Sequence, residues 1–148
     1  MSLSQQLNEA MKEAMRAKDS LRLNTIRQIR TSVKNKEIDD RRELSDQEII
    51  GVISTLVKQR KESTQLYREG DRPDLAEKEE QEMAVLQEFL PAQLGEEEIR
   101  SIIEEAIAET GAASMKDMGR VMKVVTGRTL GRADGRLVSD LVKVRLSA

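Results

Sequence analysis

Cysteine, histidine and tryptophan are missing from this sequence, and its only aromatic residues are Tyr67 and Phe89. Without cysteine and histidine there are no thiol nucleophiles, disulfides or imidazole bases, and the usual zinc ligands are gone. A self-contained hydrolytic site is therefore not expected, and no catalytic residue is assigned. No apolar run approaches the roughly 18 residues of a membrane span. The start, MSLSQQLNEAMKEAMRAK, carries charges throughout, so it does not read as a secretory signal. The absence of cysteine fits a reducing compartment, and a cytoplasmic location is the expectation. No stretch alternates apolar and polar residues long enough to suggest a strand.

What is present is charge and helical periodicity. Of the 148 residues, 38% are hydrophobic and 35% charged. Leu, Ile, Val, Met and Ala recur at helical spacing, so the chain is globular rather than disordered. Its net charge of −2 hides a strong asymmetry. Residues 1–42 carry a net +4, residues 43–110 a net −11, and residues 111–148 a net +5. Such a chain can meet a polyanion at one end while being nearly neutral overall.

The punctuation predicts an all-α protein with an N-terminal helical domain of about four helices, 1–92, and a three-helix C-terminal bundle, 95–148. A first helix spans roughly 3–18, with Leu3, Leu7, Met11 and Met15 as its apolar stripe. Asp19 or Ser20 caps a second helix, which the mixed charges at 34–41 end. Ser45 and Glu48 form a capping box for a third. Gly70 stops that helix, and Pro73 sits in the tolerated first turn of a fourth. The sequence PAQLG at 91–95 is the best boundary. Glu96–Thr110 then forms one short helix. Ser114 and Asp117 cap a second, which Gly127 ends, and a third starts near Ala133 or Asp134. The methionines read as core filling.

Five of the eight glycines lie in the basic last segment. Arg120, Lys123, Arg128, Arg132 and Arg136 are the candidate nucleic-acid contacts there. Phosphate binding needs cations along one surface, ideally beside free N–H groups and glycines that allow close approach. The same residues also fit a solvated surface with glycines as helix stops. No aromatic lies in this segment, so any binding would be led by shape and phosphate. A second basic group, Arg27, Arg30, Lys34 and Lys36, with Lys58, Arg60 and Lys61, reads as a helix face paired with the acidic middle. The glutamates at 77–82 and 96–98 read as solvated faces, and no metal or cofactor is expected. GRTLG at 127–131 has neither a preceding strand nor a following GK[ST], so it is not a nucleotide loop.

Five segments in order resemble the YqeY family: KDSLRLNTIRQIRTSVKNKEID at 18–39, LVKQRKES at 56–63, EFLPAQL at 88–94, KDMGRVMKVV at 116–125 and GRADGRLVSDLVKVRL at 131–146. Residues 95–148 also resemble the tail domain of GatB, the tRNA-binding subunit of the glutamine-dependent amidotransferase that corrects misacylated tRNA. The matching positions are Lys116, Gly119, Arg120, Met122, Gly131, Asp134, Gly135, Val138, Leu141, Val142 and Lys143. The resemblance implies a tRNA partner, and an amidotransferase or aminoacyl-tRNA synthetase as protein partner. It also implies kinship with carbon–nitrogen ligases that use glutamine as amide donor. The chain has no counterpart of the GatB catalytic body, so the expected role is a non-catalytic tRNA-binding module. The alternatives are a protein adaptor for translation components and an accessory part active only in a complex.

Overall fold

A computed structural model describes all residues 1–148. The chain is all-α, with seven α-helices, one short 3-10 helix and no strand. It forms two compact units, Met1–Leu90 and Pro91–Ala148.

The first unit contains α1 (Leu3–Arg16), α2 (Ser20–Asp40), α3 (Asp46–Glu69) and α4 (Pro73–Gln87). Local chemistry sets most of these boundaries. Ser2 and Gln5 form a capping box at α1, and the Asp19 carboxylate accepts the Arg22 N–H at 3.1 Å at α2. At α3, Ser45 Oγ accepts the Glu48 N–H at 3.2 Å, and Glu48 Oε1 accepts the Ser45 N–H at 3.2 Å. Two otherwise free donors of the first turn are thus satisfied. Gly70 ends α3, and Pro73 opens α4 where its missing N–H costs nothing. α3 packs mainly on α4, and α1 on α2, as two helical hairpins. Ile26, Ile29, Ile53 and Leu86 are fully buried between them. Each such side chain contributes about 1.5–3 kcal/mol relative to exposure.

Three particulars differ from the expected pattern. The buried stripe of α1 is Leu3, Leu7, Ala10 and Ala14, while Met11 is half-buried and Met15 is 51% exposed. Alanines let α1 approach α2 closely, which turns the longer methionines outward. Lys18 takes a left-handed conformation (φ 56°), so α1 ends at Arg16, two residues early. The basic group around α2 is not paired as a whole with the acidic middle. Arg60 is, through Glu82 at 2.9 Å and Glu79 at 3.4 Å, but Arg27, Arg30, Lys34 and Lys36 have no carboxylate partner.

The second unit contains α5 (Glu96–Thr110), a one-turn 3-10 helix (Met115–Asp117), α6 (Met118–Thr129) and α7 (Gly135–Ser147). Ile99, Ile103 and Ala106 of α5 pack with Val121 and Val125 of α6 and with Val138, Val142 and Leu146 of α7. Residues 91–94, read from the sequence as a boundary, are part of this unit. The Leu94 N–H donates to the Arg132 carbonyl at 2.7 Å, and Gln93 Nε2 donates to the Gly131 carbonyl at 2.9 Å. Gly127 does not end α6. The helix continues to Thr129, whose buried hydroxyl donates to the Val125 carbonyl at 3.0 Å. Gly131, at φ 74°, makes the turn that follows.

Candidate nucleic-acid interface

The five arginine and lysine candidates of the second unit fall into three different situations. Arg128 lies at the end of α6 against α5. Its guanidinium meets Glu109 at 2.5 Å and Glu105 at 3.4 Å, and Glu109 raises its pKa further above the ordinary arginine value. Arg120 is held by Asp117, three residues earlier, and donates to the Thr110 carbonyl at 3.2 Å. Asp117 is itself fixed by the Ala113 and Ser114 N–H groups. These bonds, with Arg120, hold its carboxyl below the usual range. Both arginines thus serve internal contacts that staple α5 and the 3-10 turn to α6.

Arg132 is half-buried and donates from Nε to the Ala92 carbonyl at 3.4 Å, tying the segment at 91–94 to the α6–α7 loop. Lys123 and Arg136 are exposed, and neither side chain has a partner within the protein. The start of α7 is not open to an anion at every N–H. Asp134 caps it by accepting the Arg136 N–H at 2.9 Å. Arg136, in the first turn of α7, therefore does not stand beside a fully open helix start.

Lys123 occupies the exposed face of α6 between Gly119 and Gly127, four residues away on each side. A Cβ at either glycine would meet nothing within 4 Å, so core packing does not require glycine there. On α7, Arg136 and Lys143 stand seven residues apart on one exposed face, with Asp140 between them. The Lys116 and Lys143 side chains are likewise exposed and unpartnered. The charge pattern alone did not single these two out. The resemblance read from the sequence names both among its matching positions, and on α7 the i, i+7 relation of Lys143 to Arg136 is a second signal. The available cations are therefore Lys116, Lys123, Arg136 and Lys143, with Arg132 partly engaged. No three acidic side chains converge as a metal cluster, and no helix is long and apolar enough to cross a membrane.

Comparison with known proteins gives the wider context. Among curated relatives is "Altered inheritance of mitochondria protein 41, mitochondrial" of Vanderwaltozyma polyspora, 35% identical over 76% of this chain and 64% of the relative. The protein of that name in Kluyveromyces lactis is 39% identical over 58% of this chain and 47% of its own length. That of Pyrenophora tritici-repentis is 33% identical over 93% of this chain and 77% of the relative. The chain thus spans about half to two-thirds of the first two relatives. The cytoplasmic expectation, which rested on the lack of cysteine, is overturned by these relatives, which carry a mitochondrial name. Cysteine content reports redox chemistry and does not separate reducing compartments from one another. The YqeY family, described as Yqey-like protein, matches residues 4–146, and the chain belongs to that family.

Proposed function

We propose that this chain is a non-catalytic tRNA-binding module whose second unit meets the RNA backbone. The observation that carries this reading is the exposed face of α6. Lys123 stands there without a partner between two helix glycines that no packing demands. A lysine flanked by bare backbone lets a phosphate approach closely, and a salt-bridged arginine does not. The resemblance of residues 95–148 to the GatB tail supports the same reading. Glutamine-dependent amide transfer to misacylated tRNA is assigned to partners, and the purified chain is expected to show none.

Contacts within the fold favour a different set of cations from the one the charge pattern suggests. Arg128 must leave two glutamates to bind phosphate and gains little by the exchange, whereas Lys116, Lys123, Arg136 and Lys143 need only shed water. With about four phosphates neutralised, log K should fall against log salt with a slope of about −3 to −4. The test is tRNA binding by the intact chain across a salt series. Lys123→Ala and Arg136→Ala should each flatten the slope by about one unit, and Arg128→Ala should leave it nearly unchanged. Salt-independent binding, or a slope untouched by the double variant of Lys123 and Arg136, refutes the proposal.

A further inference from the structure

The first unit has a surface that its core does not use. A groove of about 800 Å3 runs along the α1–α2 hairpin. Its apolar lining includes Met11, Met15 and Val33, and Met15 is half exposed because Ala10 and Ala14 took the buried positions. Its cations are Arg27, Arg30 and Lys34, at i, i+3 and i+7 on one face of α2. That spacing spans about 10 Å, two helical turns.

None of these three cations has a carboxylate partner; Arg30 rests on the Met11 sulfur at 2.9 Å. Elsewhere in the unit, Arg22, Arg42, Arg60, Arg68 and Arg72 have carboxylate partners and, of the arginines, only the scattered Arg16 and Arg41 do not, so three unpaired cations on one face are particular to the groove. The one acid lining the groove, Glu37, accepts the Leu44 N–H at 2.9 Å. Like charges one turn apart disfavour a helix, so an anionic occupant would relieve a strain that the free protein retains.

We propose that this groove docks an acidic amphipathic helix of another protein. Apolar side chains at i, i+3 or i+4, and i+7 of that helix would cover the methionines, and flanking carboxylates would meet Arg27, Arg30 and Lys34. Methionine suits such a surface because its unbranched, flexible side chain adapts to different apolar partners. An RNA backbone would satisfy the cations and leave the thioethers uncovered. No aromatic among the lining residues offers a base a stacking platform. The inference does not rest on the tRNA reading, which concerns the other unit.

The test titrates the full chain, labelled at its methionine methyl groups, with a synthetic amphipathic peptide of about 18 residues carrying a leucine face flanked by glutamates. A second peptide has lysine in place of every glutamate. The acidic peptide should shift the Met11 and Met15 signals and leave Met118 and Met122 of the second unit in place. Reversing the charges (Arg27→Glu, Arg30→Glu and Lys34→Glu together) should weaken the acidic peptide about ten-fold or more and strengthen the lysine peptide. Met15→Gln, which keeps side-chain length and the exposed helical position, should also weaken the acidic peptide. Unmoved Met11 and Met15 signals, or equal responses to the two peptides, overturn the proposal. So does tRNA that shifts these two methyls and displaces the peptide, which would assign the groove to RNA.

Discussion

Gly127→Ala separates what α6 needs for folding from what the proposed interface needs. Gly127 is exposed within α6, and a methyl group there meets nothing within 4 Å. Glycine in a helix costs about 0.5–1 kcal/mol relative to alanine, mainly through the entropy of the unfolded chain. The substitution should therefore stabilise the second unit by about that amount. In a unit of this size the thermal midpoint should rise by roughly 2–8 °C. Close approach of a phosphate would suffer, because the methyl projects from the face that carries Lys123. An about three- to ten-fold loss of tRNA affinity is expected, which is about 0.7–1.4 kcal/mol. Gly51→Ala in α3 is the matched control. Its Cβ position is also empty, and it lies in the other unit. It should gain comparable stability with tRNA binding unchanged. Thermal unfolding followed by circular dichroism and a tRNA anisotropy titration at one fixed salt concentration measure both quantities. If Gly127→Ala binds tRNA as tightly as the natural sequence, the close-approach argument fails. If it loses stability, the description of the surface around α6 is wrong.

Three further outcomes follow from particular contacts. Arg60 is only 14% exposed and holds both Glu79 and Glu82, so Arg60→Ala strands two part-buried carboxylates; urea unfolding should show a loss of about 2–3 kcal/mol, below the cost at a fully buried pair. The Arg42 guanidinium, and then the Ser45 N–H, pull the Glu48 carboxyl from 4.5 down to about 2. The ionised form therefore stabilises α3 fully above pH 4.5, and that contribution disappears as pH falls toward about 2; Glu48→Gln should be less stable than the natural chain at neutral pH, with the gap closing across this window in acid unfolding. Asp140 is the carboxylate between Arg136 and Lys143, so Asp140→Asn should tighten tRNA by about two- to five-fold at low salt, and the gain should fade as salt is raised.

How legible each feature was depends on how local its cause is. Ser45–Glu48, Ser114–Asp117 and Asp134 were readable as caps because each contact lies within three residues. The limits of α5, Glu96 and Thr110, were readable because the acids of the first turn and Gly111 act within a turn of the helix end. The fate of Arg128 was not readable. Its partners Glu105 and Glu109 lie about twenty residues away, and only the packing of α5 on α6 brings them within reach. Met11 and Met15 fitted an apolar stripe as well as Ala10 and Ala14 do, and hydrophobicity alone favoured the larger side chains. The glycine at 127 resembled a helix stop because the sequence did not show the helix running two residues further, to the buried Thr129.

By itself, the sequence determined the helical class, nearly every helix start, the basic character of residues 111–148 and the family. All of these follow from side-chain periodicity, short-range hydrogen bonding, composition or ordered motifs. Tertiary structure alone decided which cations are spent and which are free. Arg128 and Arg60 are held by carboxylates of neighbouring helices, while Lys123, Arg136, Arg27, Arg30 and Lys34 face solvent without a carboxylate. A charge is available to a ligand only when no nearer opposite charge holds it, and that distance is set by how helices pack rather than by their order along the chain.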